Sequence, residues 1–199
     1  MDTIVRRQLD LDKTTLLIGN HTASQDPTKL RMCVMEAVAY VAGESWSAHP
    51  QCASPVIAAF LRSLNDRLDN TTRQTLKQYI PPLVGSRGTQ AQENARSWMA
   101  CDWLVRTFTP AWLRLANLDE DAAALEALPE LTAKELADEA LPTIRKASAA
   151  SRAAWDAARD AARDAARGAA WTALAPTALA LQESAHDLIR RMLSVTAVP

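Results

Sequence analysis

Residues 156–167 repeat one four-residue unit three times: Asp156-Ala-Ala-Arg159, Asp160-Ala-Ala-Arg163 and Asp164-Ala-Ala-Arg167. On a helix of 3.6 residues per turn, a period of four drifts by only about 40° per repeat. Every Asp and Arg therefore stays on one half of the cylinder and every alanine on the other. Each Asp precedes an Arg by three, a pair worth about 0.2–0.5 kcal/mol on an isolated helix, and alanine has the highest helix propensity. The segment is expected to be a helix and can hardly be anything else. Alternating charge marks a solvated face, so the expectation is a helix docked by its alanines on its own domain. The alternative is an oligomer or partner surface, because alanine lets a neighbouring helix approach closely. Trp155 and Trp171 flank the repeat and are expected to anchor it.

The rest of the chain continues that bias, with 39 alanines against five glycines in 199 residues. This length suits one domain or two small ones, and folding hides about 70% of the extended surface without help from a disulfide or metal. Twenty-two basic and 23 acidic residues leave a net charge of −1, which excludes a general nucleic-acid-backbone binder. With 48% hydrophobic and 23% charged residues, the chain is not disordered. Met1 to Arg7 lead into no apolar signal core. The apolar run Val34 to Ala42 carries Glu36 and falls far short of the roughly 20 residues of a spanning helix. Cysteines at 33, 52 and 101 are an odd number, which suits a reducing compartment. The reading is a cytoplasmic protein without a membrane segment.

The chain divides into an N-terminal arm (1–28), a helical core (29–118), and a final region (119–199) of short acidic helices and alanine-rich helices packed on that core. In the arm, Thr14 to Ile18 is β-branched and apolar and Gly19-Asn20 is a turn signal. A lone strand lacks a partner, so the segment reads as an extended arm on the helical body. From Lys29, apolar residues at 30, 33, 34, 37, 38 and 41 form one stripe, and Gly43 ends the helix as a C′ residue. Ser54-Pro55 and Thr109-Pro110 are N-cap-plus-proline starts. Asn70-Thr71 opens a shorter helix that Pro81-Pro82 ends. Thr89 caps a long helix, and Asp119 to Leu128 and Thr132 to Glu139 read as short helices. Pro142 opens the last section, and Pro176 breaks or kinks it before a final helix over 177–193. The fold class is all-α: an irregular bundle of about seven to nine helices with an extended N-terminal arm and an alanine-rich C-terminal helical hairpin.

Met32-Cys33-Val34-Met35-Glu36-Ala37-Val38-Ala39-Tyr40-Val41-Ala42-Gly43-Glu44, followed by His49-Pro50-Gln51-Cys52-Ala53-Ser54-Pro55-Val56-Ile57, resembles a set of small, uncharacterised proteins of actinobacteria and their bacteriophages. Leu64-Asn65-Asp66 and Ile80-Pro81-Pro82-Leu83-Val84-Gly85 extend the likeness over about residues 30 to 115. The resemblance implies a shared helical fold and supplies no site roles.

Two groupings could carry chemistry. Cys33-x-x-Glu36 falls on one predicted helix, three residues apart, so both side chains share a face; His49-x-x-Cys52 lies in the loop that follows. If the four converge, two thiolates, an imidazole and a carboxylate make an acceptable zinc shell, although the spacing is that of no standard finger. The same residues allow a thiol enzyme. Cys52 stands just before the helix that Ser54 caps, where free N–H groups would lower its pKa, and His49 or His186 could be its base. The bland account makes Cys33 a small core residue and His49-Pro50 a turn. The second grouping is Gly85-Ser86-Arg87-Gly88-Thr89 before a helix start, where Arg87 and Arg96 could hold a nucleotide or other small anion. It lacks the P-loop pattern. Six tryptophans beside two Phe and two Tyr point to a binding surface on Trp103, Trp155 and Trp171, or to large rings that fill gaps between alanine helices. The leading expectation is a non-enzymatic helical interaction protein, a phage or host accessory factor that meets a protein partner or a second copy of itself. The alternatives are a metal- or thiol-dependent enzyme at Cys33, Glu36, His49 and Cys52, and an anion-sequestering protein.

Overall fold

A computed structural model describes residues 7–23, 30–161 and 167–195, apart from the side chains of 155–161 and 167–174. The fold is all-α. Helices run over Val34–Ala42 (α1), Pro55–Arg67 (α2), Asn70–Arg73 (α3), Ile80–Leu83 (α4), Gln90–Trp103 (α5), Thr109–Leu115 (α6), Asp119–Glu126 (α7), Lys134–Ala161 (α8) and Arg167–Leu193 (α9). A 3₁₀ stretch, Gln74–Tyr79, joins α3 to α4, and a π turn, Leu104–Phe108, joins α5 to α6. Among the described residues, no helix is long and apolar enough to cross a membrane. The chain forms two compact units, Met1–Arg96 with Met192–Pro199, and Ser97–Arg191. The division falls at 96/97, earlier than the expected boundary at 118/119, and the last residues rejoin the first unit.

In the first unit, α1 packs on α2 and α4 around fully buried Met32, Met35, Val38, Ile57, Leu61, Leu76, Ile80 and Leu83. Gly43 ends α1 at φ 74°, and its N–H reaches back to the Ala39 and Tyr40 carbonyls, as a glycine C′ residue should. The Ser54 hydroxyl accepts the Ile57 N–H at 3.3 Å with Pro55 behind it, which fixes the start of α2. At the far end of α2, buried Arg73 donates Nε to the Asn65 carbonyl (2.6 Å) and Nη2 to that of Leu68 (2.5 Å). A cation thus meets the negative end of the helix dipole.

The arm is extended, and the body supplies what a lone strand lacks. Leu16 is wholly buried and makes an isolated parallel bridge with Met32. The Gln74 side-chain amide accepts the Leu16 N–H (2.9 Å) and donates to the Leu16 carbonyl (3.0 Å), as a neighbouring strand would. Buried Asn65 donates to the Leu17 carbonyl at 2.9 Å and accepts the Val34 N–H at 3.3 Å.

In the second unit, α6, α7 and α8 meet at Leu113, Ala122, Leu125 and Ala147, with Val105, Leu118, Leu128 and Ile144 around them. Thr109-Pro110 does not open a separate helix: the chain passes from α5 to α6 through the π turn. Pro110 has no N–H to offer the preceding turn, and the Thr109 hydroxyl donates to the Leu104 carbonyl at 2.7 Å. Pro142 likewise lies inside α8 and not at its start. Pro142 and Asp138, four residues earlier, are both exposed, so water can take the carbonyl that the proline leaves without a donor. Pro176 also lies inside its helix, α9. The centre of the Asp-Ala-Ala-Arg repeat, 162–166, is outside the described residues.

Candidate functional site

Cys33 is not a helical residue of α1 but its N-cap, in a capping box where sulfur stands in for the usual hydroxyl. That geometry turns Glu36 inward. Its buried carboxylate accepts the Cys33 N–H at 2.8 Å, the His21 N–H at 2.7 Å and lies 3.1 Å from His21 Nδ1. Trp46 Nε1 donates to the His21 carbonyl at 2.8 Å, so arm, helix and loop close around one carboxylate. The imidazole that meets Glu36 is therefore His21, not His49. A contact between residues 15 apart in an arm without periodicity leaves no spacing signal in the sequence.

His49 is exposed, and its backbone N–H goes to the Ser47 hydroxyl at 2.9 Å. Its loop is clasped from the other side: Glu44 accepts the Gln51 N–H at 2.6 Å and the Cys52 N–H at 2.7 Å. Glu44 is thus spent on backbone donors of its own loop, and Glu36 on the α1 N-cap and on His21 of the arm. Cys33, Glu36, His49 and Cys52 do not converge into a ligand shell, and among the described residues no group of three or more His, Cys, Asp or Glu could hold a metal.

The thiols correct the second expectation. Burial pushes the Cys33 thiol up to about 11, and the neighbouring Glu36 charge adds to the rise. At neutral pH only about one such thiol in ten thousand is ionised. Burial also raises Cys52 despite its place before α2, and Glu44 reinforces the shift. Cys101 is raised by burial and by Asp102. At Cys52, burial and the Glu44 carboxylate outweigh whatever the start of α2 contributes. Burial and Arg190 lower the pKa of the third histidine, His186.

The Gly85–Thr89 loop does hold an anion, and it is the protein's own. Glu93 accepts the Gly88 N–H at 2.9 Å, the Ser54 hydroxyl at 2.5 Å and Arg96 Nη1 at 2.7 Å. Burial alone would raise this carboxyl; the Ser54, Gly88 and Arg96 donors outweigh it and leave the pKa below the usual value. Arg96 is 3% exposed and also donates to the Met192 carbonyl (2.9 Å) and the Ser86 carbonyl (2.9 Å). It acts as a strut that ties residue 192 to the first unit. Arg87 is exposed, with its backbone N–H on the Cys52 carbonyl at 3.0 Å. Arg87 and Arg96 both line a cleft of about 660 Å³ with Gln92 and Val195.

Trp103 donates Nε1 to the Ser184 hydroxyl at 2.6 Å, which fixes its ring in the second unit. Phe108 lies against it with centroids 5.3 Å apart, and Trp112 follows at 6.0 Å. Around this stack Leu104 is 50% exposed, Trp112 38% and Leu115 36%. The side chains of Trp155 and Trp171 lie outside the described residues. The stack was not legible because it depends on the π turn, which re-phases every side chain after residue 104. No family model, curated protein or solved structure matches the chain.

Proposed function

We propose that this chain is a non-enzymatic helical interaction protein, a phage or host accessory factor, that takes a protein partner on its second unit. The reading rests on the ridge of the π turn and α6, where Leu104, Trp112 and Leu115 keep a third or more of their surface in water beside a fixed Trp103–Phe108–Trp112 stack. Large rings with one edge anchored and the other wet are the residue type that carries binding energy at protein interfaces. Raised thiols and self-satisfied carboxylates favour this reading over a metal- or thiol-dependent enzyme.

Two measurements test it together: light scattering over a wide concentration range for self-association, and a photo-crosslinker at position 112, with one at exposed Arg67 as control, for a foreign partner. A second copy raises the mass above 21.7 kDa; a foreign partner gives a discrete product at 112 alone. A monomer at every concentration, with no product above control, ends the proposal.

One observation favours a second reading, sequestration of a nucleotide or small anion at the 660 Å³ cleft: no carboxylate pairs with the Arg87 guanidinium among the described residues. A thermal-shift screen with nucleotides that moves the melting temperature in the parent and not in Arg87→Ala supports it; no response disposes of it.

A further inference from the structure

The second unit contains a cavity of about 300 Å³ between the π turn and α6, α7 and α8. Its floor is apolar, formed by Val105, Leu125, Ile144 and Ala147. Along α8, lining positions 144, 147, 148, 151 and 152 follow the three-and-four spacing of one helix face, and their chemistry changes along the axis. Ile144 and Ala147 come first, then the Ser148 and Ser151 hydroxyls, then Arg152. Of the lining residues only Arg152 is charged, and it has no carboxylate partner among the described residues. The ion pair Lys146 Nζ to Asp121 Oδ1 at 3.7 Å between α8 and α7 involves two residues that do not line the cavity.

We infer that this cavity is a binding site for a small amphipathic carboxylate, distinct from the protein-binding ridge proposed above and independent of it. The hydrocarbon part would cover the apolar floor, and the carboxylate would meet the Arg152 fork, flanked by two hydroxyl donors. Volume limits the size. At about 300 Å³ the cavity lies at the small end of ligand pockets, so the hydrocarbon part is short, and a straight eight-carbon carboxylate represents the class. A neutral ligand of equal length would offer the Arg152 guanidinium no opposite charge, and a longer chain would have to leave its tail in water.

The test is titration calorimetry of the full chain with octanoate below its micelle-forming range, with octan-1-ol as the uncharged control. The expected result is saturable binding at one site, at least about tenfold weaker for octanol and for octanoate on Arg152→Ala, the usual size of a charge-assisted hydrogen bond. Ser148→Trp places a ring at the mouth of the cavity from an exposed helix position and should abolish binding while the circular dichroism is unchanged. If that variant does not fold, Ser151→Trp serves in its place. Absence of saturable octanoate binding, or binding that both Arg152→Ala and the tryptophan variant leave intact, overturns the assignment. Equal affinity for octanol and octanoate overturns its anionic part.

Discussion

Both units bury an apolar core, but they depart from that rule in opposite ways, the first by burying polar groups and the second by exposing apolar ones. Every buried polar or charged side chain among the described residues, Glu36, Ser54, Asn65, Arg73, Glu93 and Arg96, belongs to the first unit. Of the six large apolar side chains left exposed among the described residues, five (Leu104, Trp112, Leu115, Leu141 and Leu179) belong to the second unit and Ile18 to the first. A buried polar group with its partners in place specifies one arrangement, because any slip leaves it unsatisfied at about 1–3 kcal/mol. Alanine-lined apolar contacts make no such demand. The first unit is built to hold one register of arm and helices; the second keeps apolar surface available.

Breaking the polar hub should give the largest effect. Glu93→Ala removes the acceptor of the Gly88 N–H and the Ser54 hydroxyl and strands the buried Arg96 charge. Loss of one member of a buried pair costs about 3–5 kcal/mol. Denaturant unfolding should show that loss, with the rise in hydrogen exchange concentrated in the first unit; a loss below about 1 kcal/mol would erase the contrast between the units. The same carboxyl sets an acid limit. Its folded pKa lies below the usual 4.5, so its contribution is complete above that value and disappears as pH falls through the lower folded one. A titration of stability below pH 4.5 should therefore be steeper in the parent than in Glu93→Gln. Parallel curves would remove Glu93 from the account.

Next in size is the apolar side of the contrast. Leu125 is 1% exposed at the centre of the second unit's cluster, and Leu125→Ala should cost about 3 kcal/mol through lost burial and the void left behind. In the first unit, Asn65→Ala should cost about 2 kcal/mol, the penalty for leaving the Leu17 carbonyl and Val34 N–H unpaired. Its signature differs: limited proteolysis should cut between residues 7 and 23 before the unit unfolds. An arm as resistant as the parent's would show that the Gln74 and Glu36 contacts retain it without Asn65.

Local devices were legible in the sequence. Gly43 at a left-handed C′ position, Ser54-Pro55 at a helix start and the acidic first turn of α7 each act on neighbours within four residues. The helical class followed from the same scale of evidence. Groups that act across the chain were not legible. Gln74 meets Leu16 over 58 residues, Asn65 meets Leu17 over 48, and Glu93 meets Ser54 over 39; Gln, Asn and Glu carry no local mark of burial. The spacing of Cys33 and Glu36 does not tell a capping box from a metal half-site, since the two share i, i+3. Pro110 and Pro142 look like boundaries in the sequence because proline usually is one. A hydroxyl beside the first and solvent over the second removed the need to stop.

The smallest stability effect is expected where the functional reading expects the most. Trp112 is 38% exposed and its ring lies 6.0 Å from that of Phe108, a tilted pair worth about 0.5–1.5 kcal/mol. Replacement by serine also returns to water a surface that was already partly wet. Trp112→Ser should therefore lower stability by about 1 kcal/mol, well under the Glu93 and Leu125 substitutions, while it removes a ring from the ridge. A side chain kept in water at a protein's surface for packing alone should matter to folding; one kept there for a partner should matter to binding. If Trp112→Ser destabilises the second unit as much as Leu125→Ala does, the ring is a core residue at the edge of its cluster. The ridge then loses its claim as a docking surface. If the melting curve barely moves and the crosslinked or self-associated species disappears, stability and binding separate along this side chain.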